Sequence, residues 1–468
     1  MPLPPSSLLL DEILRAAPRR YRVPSAPVGA ELVKHAGAAT TLAVTIEVAR
    51  QALADGLAPG MATKQAFIHA LGRLIQEAVR QDEGDPAFQA IVLRHRVAQV
   101  REYAALSAIA DQDRRQIHAT VNAIAHPEKL KRLPPGPPRD VLAQLQTAAA
   151  TASWTALSDA GQRLRAMPES ASDPTIERAL ARLLDEPALE RLQRLDALAP
   201  DVHVQRYQSL WDRHGPRSGS PGAAAQGSAA QRRGAAVEAS ATQALDALAQ
   251  RLNDAEGSLS PYRVVTSMRV PSSIPASAER AKTEWDAVLL RKAPADNDTP
   301  VWDVCLLVEA KASVDAATTD LPRLQRGLRL LAHADDNTAY PFKTEQGIVH
   351  LRGASLQALP WDIPGLAQVV LYCCDAPAET TPRLLSAASR MHLLSAPASV
   401  DFAIKLAGPQ PPDPEALEPV WRLLLESPQW TPILHQYPML RDIRDMMVHV
   451  DDLRAAIAVD TRWSAASG

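Results

Sequence analysis

The fold turns on Val304-Cys305-Leu306-Leu307-Val308-Glu309-Ala310-Lys311. Five apolar residues in succession predict a buried central strand. A buried strand has no reason to end in two charges on one face. Yet Glu309 and Lys311 are two residues apart and so point to the same side. This is the only acid-x-Lys triplet in the chain, and lysine is scarce, with Arg outnumbering Lys more than four to one.

The preceding run, Glu284-Trp285-Asp286-Ala287-Val288-Leu289-Leu290, reads as the partner strand. An antiparallel hairpin with Asp286 opposite Glu309 sets Val288 against Leu307, Leu290 against Cys305 and Lys292 against Asp303. Each pair is chemically sensible. The turn falls in Ala295-Asp296-Asn297-Asp298-Thr299-Pro300, which is rich in turn formers. Opposed Cβ atoms lie ~5 Å apart, so the two carboxylates could share a cation. Asp303 is the rival first acid. It precedes Glu309 by six residues, roughly 20 Å along a strand, too far to share an ion with it.

A third acid is Glu238, in Arg233-Gly234-Ala235-Ala236-Val237-Glu238. It opens a helix whose apolar stripe includes Ala241, Leu245, Leu248 and Leu252. Leu245, seven residues on, shares its face, so this acid points along the buried side and needs a partner or a metal.

Around these residues the pattern is mixed. A helix is predicted at 234–253, then strands at 262–270, 284–292 and 301–311. A helix at 320–334, a strand at 367–374, a helix at 381–394 and a strand at 399–406 follow. After Pro409-Gln410-Pro411-Pro412 the tail reads as helical. Upstream, Phe67, Ile68, Leu71, Leu74, Ile75, Ala78 and Val79 recur at helical spacing. Asp85-Pro86 and Asp173-Pro174 each place a capping oxygen before a first-turn proline. Leu42, Val44, Ile46 and Val48 alternate like a strand, but their neighbours favour helix. Between these regions, 213–233 is Gly-, Ser-, Ala- and Gln-rich and reads as a flexible linker. The expected organisation is multidomain: an all-α region at 1–212, the linker at 213–233, an α/β domain with a mixed central sheet at 234–410, and a helical extension at 411–468.

The helix acid, the second-strand Asp and the Glu-Ala-Lys of the third strand resemble the PD-(D/E)xK nuclease superfamily, with its restriction-endonuclease-like fold. The Arg-Gly-x-x-x-Glu opening is similar to that of Holliday-junction-resolvase-like nucleases. The α-β-β-β-α-β order matches the family core over residues 234–375, under a third of the chain. One departure is Trp285 where the family often has proline before the aspartate. The resemblance implies a Mg²⁺- or Mn²⁺-dependent endonuclease. Asp286, Glu309 and the Ala310 carbonyl would be metal ligands, Glu238 would hold a second ion or its water shell, and Lys311 would orient or help deprotonate the attacking water. Gln325, Arg323 or Arg326 would come from the following helix, Gln325 being the one assigned to the site. The implied partner is nucleic acid, DNA before RNA. The helical region would select a target or protein partner, and a homodimer is admitted. Repair, phage defence and antibacterial toxicity are the biological settings it opens. The alternatives are a retired nuclease fold that binds nucleic acid or protein, and a helical interaction scaffold.

Composition bounds these readings. The 468 residues carry 50 Lys+Arg against 53 Asp+Glu, a net charge of -3, which excludes a histone-like polyanion binder. No apolar run approaches the ~18 residues of a membrane span. The start lacks basic residues, and Asp11 and Glu12 interrupt its apolar stretch, so no secretory signal is expected. Cys305, Cys373 and Cys374 form no CxxC pair, and the reducing cytoplasm is the default compartment. The Ala- and Arg-rich, Lys-poor bias suggests a GC-rich bacterial genome.

Overall fold

The computed structural model describes residues 7–23, 37–168, 174–216, 219–257, 261–294, 299–379 and 383–459. The tip of the expected hairpin turn (295–298), the Asp173 cap, the first residues of the expected 381–394 helix and the first six residues of the chain lie outside them. The described residues are mostly helical and include one seven-stranded sheet. No helix among them is long and apolar enough to cross a membrane.

The chain divides into two compact units, Met1–Leu74 with Gly219–Leu393 and Pro414–Gly468, and Ile75–Ser218 with Leu394–Asp413. This corrects the expected division at 212, 233 and 410. The reason is packing. Leu10 and Ile13, in the Leu8–Ala16 helix, share a core with Leu245, Leu306 and Leu453, so the first segment folds with the sheet.

The helical unit is built around the 28-residue Ala98–Ala125 helix. Its Ile117, Val121 and Ile124 pack against Leu142, Leu145, Trp154, Leu157, Leu183 and Leu192. Asp85 caps the preceding helix, Pro86–Arg96, by accepting from the Phe88 amide, with Pro86 at the first position as expected. Asp113 is buried in this unit and takes two hydrogen bonds from Arg191, at 2.8 and 2.6 Å. Residues 399–406 also belong here, and not as the expected strand. Residues 399–405 lie in the Pro397–Lys405 helix, with Leu406 as its C-cap, and Ser399, Val400, Phe402 and Ala403 are buried at helical spacing.

The linker expectation is corrected too. The Val202–His214 helix occupies its first residues, and Pro221–Glu256 is one 36-residue helix, about 54 Å long at 1.5 Å per residue. Ser220 caps it by accepting from the Ala223 amide, and Pro221 takes the first-turn position. The stretch lacks bulky apolar residues because its first turns are largely exposed. Its alanines nevertheless favour helix strongly.

The strands are β1 (Tyr262–Arg269), β2 (Glu284–Lys292), β3 (Val301–Lys311), β4 (Ala339–Thr344), β5 (Gly347–Arg352), β6 (Val370–Cys374) and β7 (Met447–His449). β1, β2 and β3 form an antiparallel meander, while β6 lies parallel to β3 and β7 parallel to β6. The β4–β5 hairpin, absent from the sequence reading, pairs with β1 on one side and with the start of β3 on the other. The sheet is therefore mixed, as expected, but it closes on itself into a small barrel through β1, β2, β3, β5 and β4. Helix Val314–Leu331 covers one face through Leu321, Leu324 and Leu328. The Pro221–Glu256 helix covers the other through Val237, Ala241, Leu245, Leu248 and Leu252.

Smaller corrections follow from the same packing. Residues 367–369 end the Ile363–Val369 helix, so β6 is shorter than expected. The helix after β3 starts at Val314, not 320. The helix after β6 is Ala387–Ser395. The C-terminal region is not purely helical, because β7 adds its buried Met447, Val448 and His449 to the sheet edge.

Candidate active site

The β2–β3 ladder pairs Ala287 with Val308 and Val288 with Leu307, the expected register at the site end. Asp286 and Glu309 are the next residues along each strand. A register shift between Leu289 and Leu290 then corrects the far end. Leu290 faces Val304 rather than Cys305, and Arg291 rather than Lys292 faces Asp303. Asp303 is taken up by Arg352, whose guanidinium donates to both its oxygens at 2.9 and 2.6 Å.

At the other end of β3, four charged groups come together, three of them carried by the sheet. Glu309 is fully buried. Its Oε2 receives Lys311 Nζ at 2.9 Å and Lys282 Nζ at 2.6 Å. Its Oε1 is buried and has no hydrogen-bond partner. Asp286 Oδ2 accepts the Ala310 amide at 2.9 Å and lies 3.8 Å from Lys311 Nζ. Its Oδ1 lies 3.9 Å from Lys282 Nζ. The Asp286 side chain retains 25% exposure, so the cluster opens to solvent on that side.

Burial pushes the Glu309 carboxyl up to about 8 and Asp286 adds to this, while Lys311 and Lys282 pull it down. Burial alone would depress the Lys311 ammonium, but Glu309, Asp286 and Asp320 outweigh it and raise its pKa. Lys311 is therefore held as a cation. This argues against its acting as the proton acceptor and for its acting as a hydrogen-bond donor.

Lys282, Asp320 and Tyr372 complete the cluster and were not read from the sequence. Asp320 Oδ2 lies 3.5 Å from Lys311 Nζ and accepts the Tyr372 hydroxyl at 3.4 Å. Tyr372 pairs with Glu309 across β3 and β6, which is why its ring reaches the site. Burial and then Asp320 raise its hydroxyl well above the usual tyrosine range. Lys282 could have been noticed as a rare lysine four residues before Asp286. Asp320 carried no pattern of its own.

Glu238 is half-buried near this cluster, and burial followed by the charges of Asp286, Glu345 and Glu284 raises its carboxyl. Gln325 is not brought to the acids: its amide donates to the Trp361 carbonyl at 3.4 Å. Arg323 and Arg326 are exposed, and Arg326 donates to the Arg280 carbonyl at 2.8 Å. The Val314–Leu331 helix thus brings Asp320, and not Gln325, to the cluster. Five residues separate the two, so they lie on different faces of the helix. Cys373 and Cys374 are buried in the core, and His449 turns its Nδ1 to the Asp451 amide at 3.1 Å.

Among the described residues, no group of three or more His, Cys, Asp or Glu side chains is arranged to hold a metal ion. The donor set offers instead two hard carboxylates, Asp286 and Glu309, with one buried oxygen of Glu309 unused. That set fits Mg²⁺, which keeps most of its water and takes one or two carboxylates. No protein family, curated protein or solved structure matches the chain in comparison with known proteins.

Proposed function

We propose that the sheet unit is a Mg²⁺- or Mn²⁺-dependent nuclease of restriction-endonuclease-like type that hydrolyses phosphodiester bonds, in DNA before RNA. One observation carries this reading: Asp286, Glu309 and Lys311, on adjacent strands, meet on one face at the end of the buried β3. The β1–β2–β3 meander with β6 parallel to β3 supports it.

Asp286 and Glu309 would hold the cation, the Ala310 carbonyl is a further candidate ligand, and Glu238 would serve its water shell. A bound divalent cation supplies charge neutralisation at the phosphodiester. Lys311, kept charged by its acid neighbours, donates hydrogen bonds that orient the attacking water and stabilise the charge developing on phosphate oxygen. The Ala310 amide fixes the Asp286 carboxylate. Water forms the new P–O bond as the sugar oxygen departs. The helical unit would contribute target or partner selection.

The rival reading, a retired nuclease fold that only binds, draws on the absence of a three-acid metal group among the described residues. The test is a cleavage assay of the full chain on plasmid, linear, branched and single-stranded DNA and on RNA, with Mg²⁺, Mn²⁺ or chelator. Metal-dependent cleavage abolished in Lys311→Ala is expected. Binding without cleavage under every metal condition would favour the rival.

A further inference from the structure

Lys282 has no place in the motif that identifies the site, yet its ammonium makes the shortest contact to Glu309, at 2.6 Å, and reaches Asp286 at 3.9 Å. Its side chain is only 10% exposed. Placing it there takes several backbone contacts. The Lys282 amide donates to the Arg323 carbonyl at 3.0 Å. Gly327 lets the Val314–Leu331 helix close on the Lys282 carbonyl, which a Cβ at that position would meet at 2.5 Å. Arg326 holds the Arg280 carbonyl at 2.8 Å, and Arg280 itself is left-handed, with φ 55°. A lysine that merely snorkelled to solvent would need none of this.

The placement of the two ammonium groups is informative. Lys282 and Lys311 both sit on Glu309 Oε2, at 2.6 and 2.9 Å, and leave Oε1 as the one buried oxygen of that carboxylate without a partner. A second divalent ion would have to lie against these two ammonium groups, at high electrostatic cost.

Resting on the nuclease reading, we propose that Lys282 is a resident cation standing where a second metal ion would otherwise be needed, so that the site takes a single divalent ion. It is a positioning residue: it holds the Glu309 carboxylate in place and supplies fixed positive charge beside it.

The test is Mn²⁺ titration of the full chain, read by the electron paramagnetic resonance of free Mn²⁺, alongside kcat and KM for cleavage. Wild type is expected to bind one ion per chain at the site, counted as the ions lost in Glu309→Gln. Lys282→Gln is expected to take a second ion, with kcat falling roughly 10²-fold and KM staying within about threefold. Lys282→Arg keeps the charge and is expected to retain single-ion binding and most of kcat. Two site ions on the wild type would overturn the inference whether or not Lys282→Gln folds. So would a folded Lys282→Gln with wild-type stoichiometry and kcat. Either result leaves the nuclease reading standing. A wild type that neither binds Mn²⁺ nor cleaves sinks both.

Discussion

β3 carries two buried carboxylates, and the protein treats them in opposite ways. Asp303, near the start of the strand, is gripped by a forked guanidinium that satisfies both oxygens. Glu309, near the end, has two ammonium groups crowded on one oxygen while the other has no partner. Arg matches a carboxylate in plane and saturates it, whereas Lys is a point charge that leaves lone pairs free. The first arrangement is finished within the protein, and the second leaves a coordination position for something else. Burial is common to both ends of the strand, so the unused valence is what marks the site.

The largest expected effect breaks the second end. Glu309→Ala should lower metal-dependent cleavage by about 10³-fold while circular dichroism still reports a folded chain. Residual activity near wild type would mean the two ends are equivalent.

Next comes the first end. Arg352→Ala leaves the buried Asp303 carboxylate unpaired and should cost about 3 kcal/mol in urea unfolding, with kcat of the remaining folded protein unchanged. A loss of kcat without a loss of stability would reverse the assignment.

A smaller effect concerns pH. The Glu309 carboxyl titrates near 8 in the folded chain against an ordinary 4.5, so the native state holds a proton that the unfolded chain has released. Its contribution to stability is complete below pH 4.5 and disappears as pH rises through 8. In chelator, wild type should lose on the order of 4 kcal/mol between these limits relative to Glu309→Gln. Parallel stability curves for the two proteins would contradict this.

The smallest effect is at Gln325, which meets Trp361 and not the acids. Gln325→Ala should change cleavage by less than about threefold and stability by no more than about 0.5 kcal/mol. A collapse of kcat there would bring this side chain back into the chemistry.

The three central strands were legible because apolar continuity and charge placement coincide in them. The 284–292 and 301–311 bounds match β2 and β3 as observed. Asp286, Glu309 and Lys311 were legible through period two and one good register. The register shift at Leu289/Leu290 left no trace in residue type, so the Leu290 and Lys292 pairings failed while the site end held. The β4–β5 hairpin did carry a signal, in alternating Tyr340 and Phe342, then Val349 and Leu351. Residues 219–233 misled for the opposite reason: an exposed alanine-rich helix buries too little to show a stripe. Lys282 and Tyr372 reach the site only through tertiary packing, by way of the Arg323 carbonyl and the β3–β6 pairing.

The bare Cα of Gly327 against the Lys282 carbonyl makes that helix a gauge for the cluster. The ammonium's reach is set by a spacing forty-five positions away in the chain, where a single added methyl would lift the scaffold off its stop. Tuning the chemistry therefore does not require touching any ionisable group: the distance between one helix and one peptide plane is an adjustable screw.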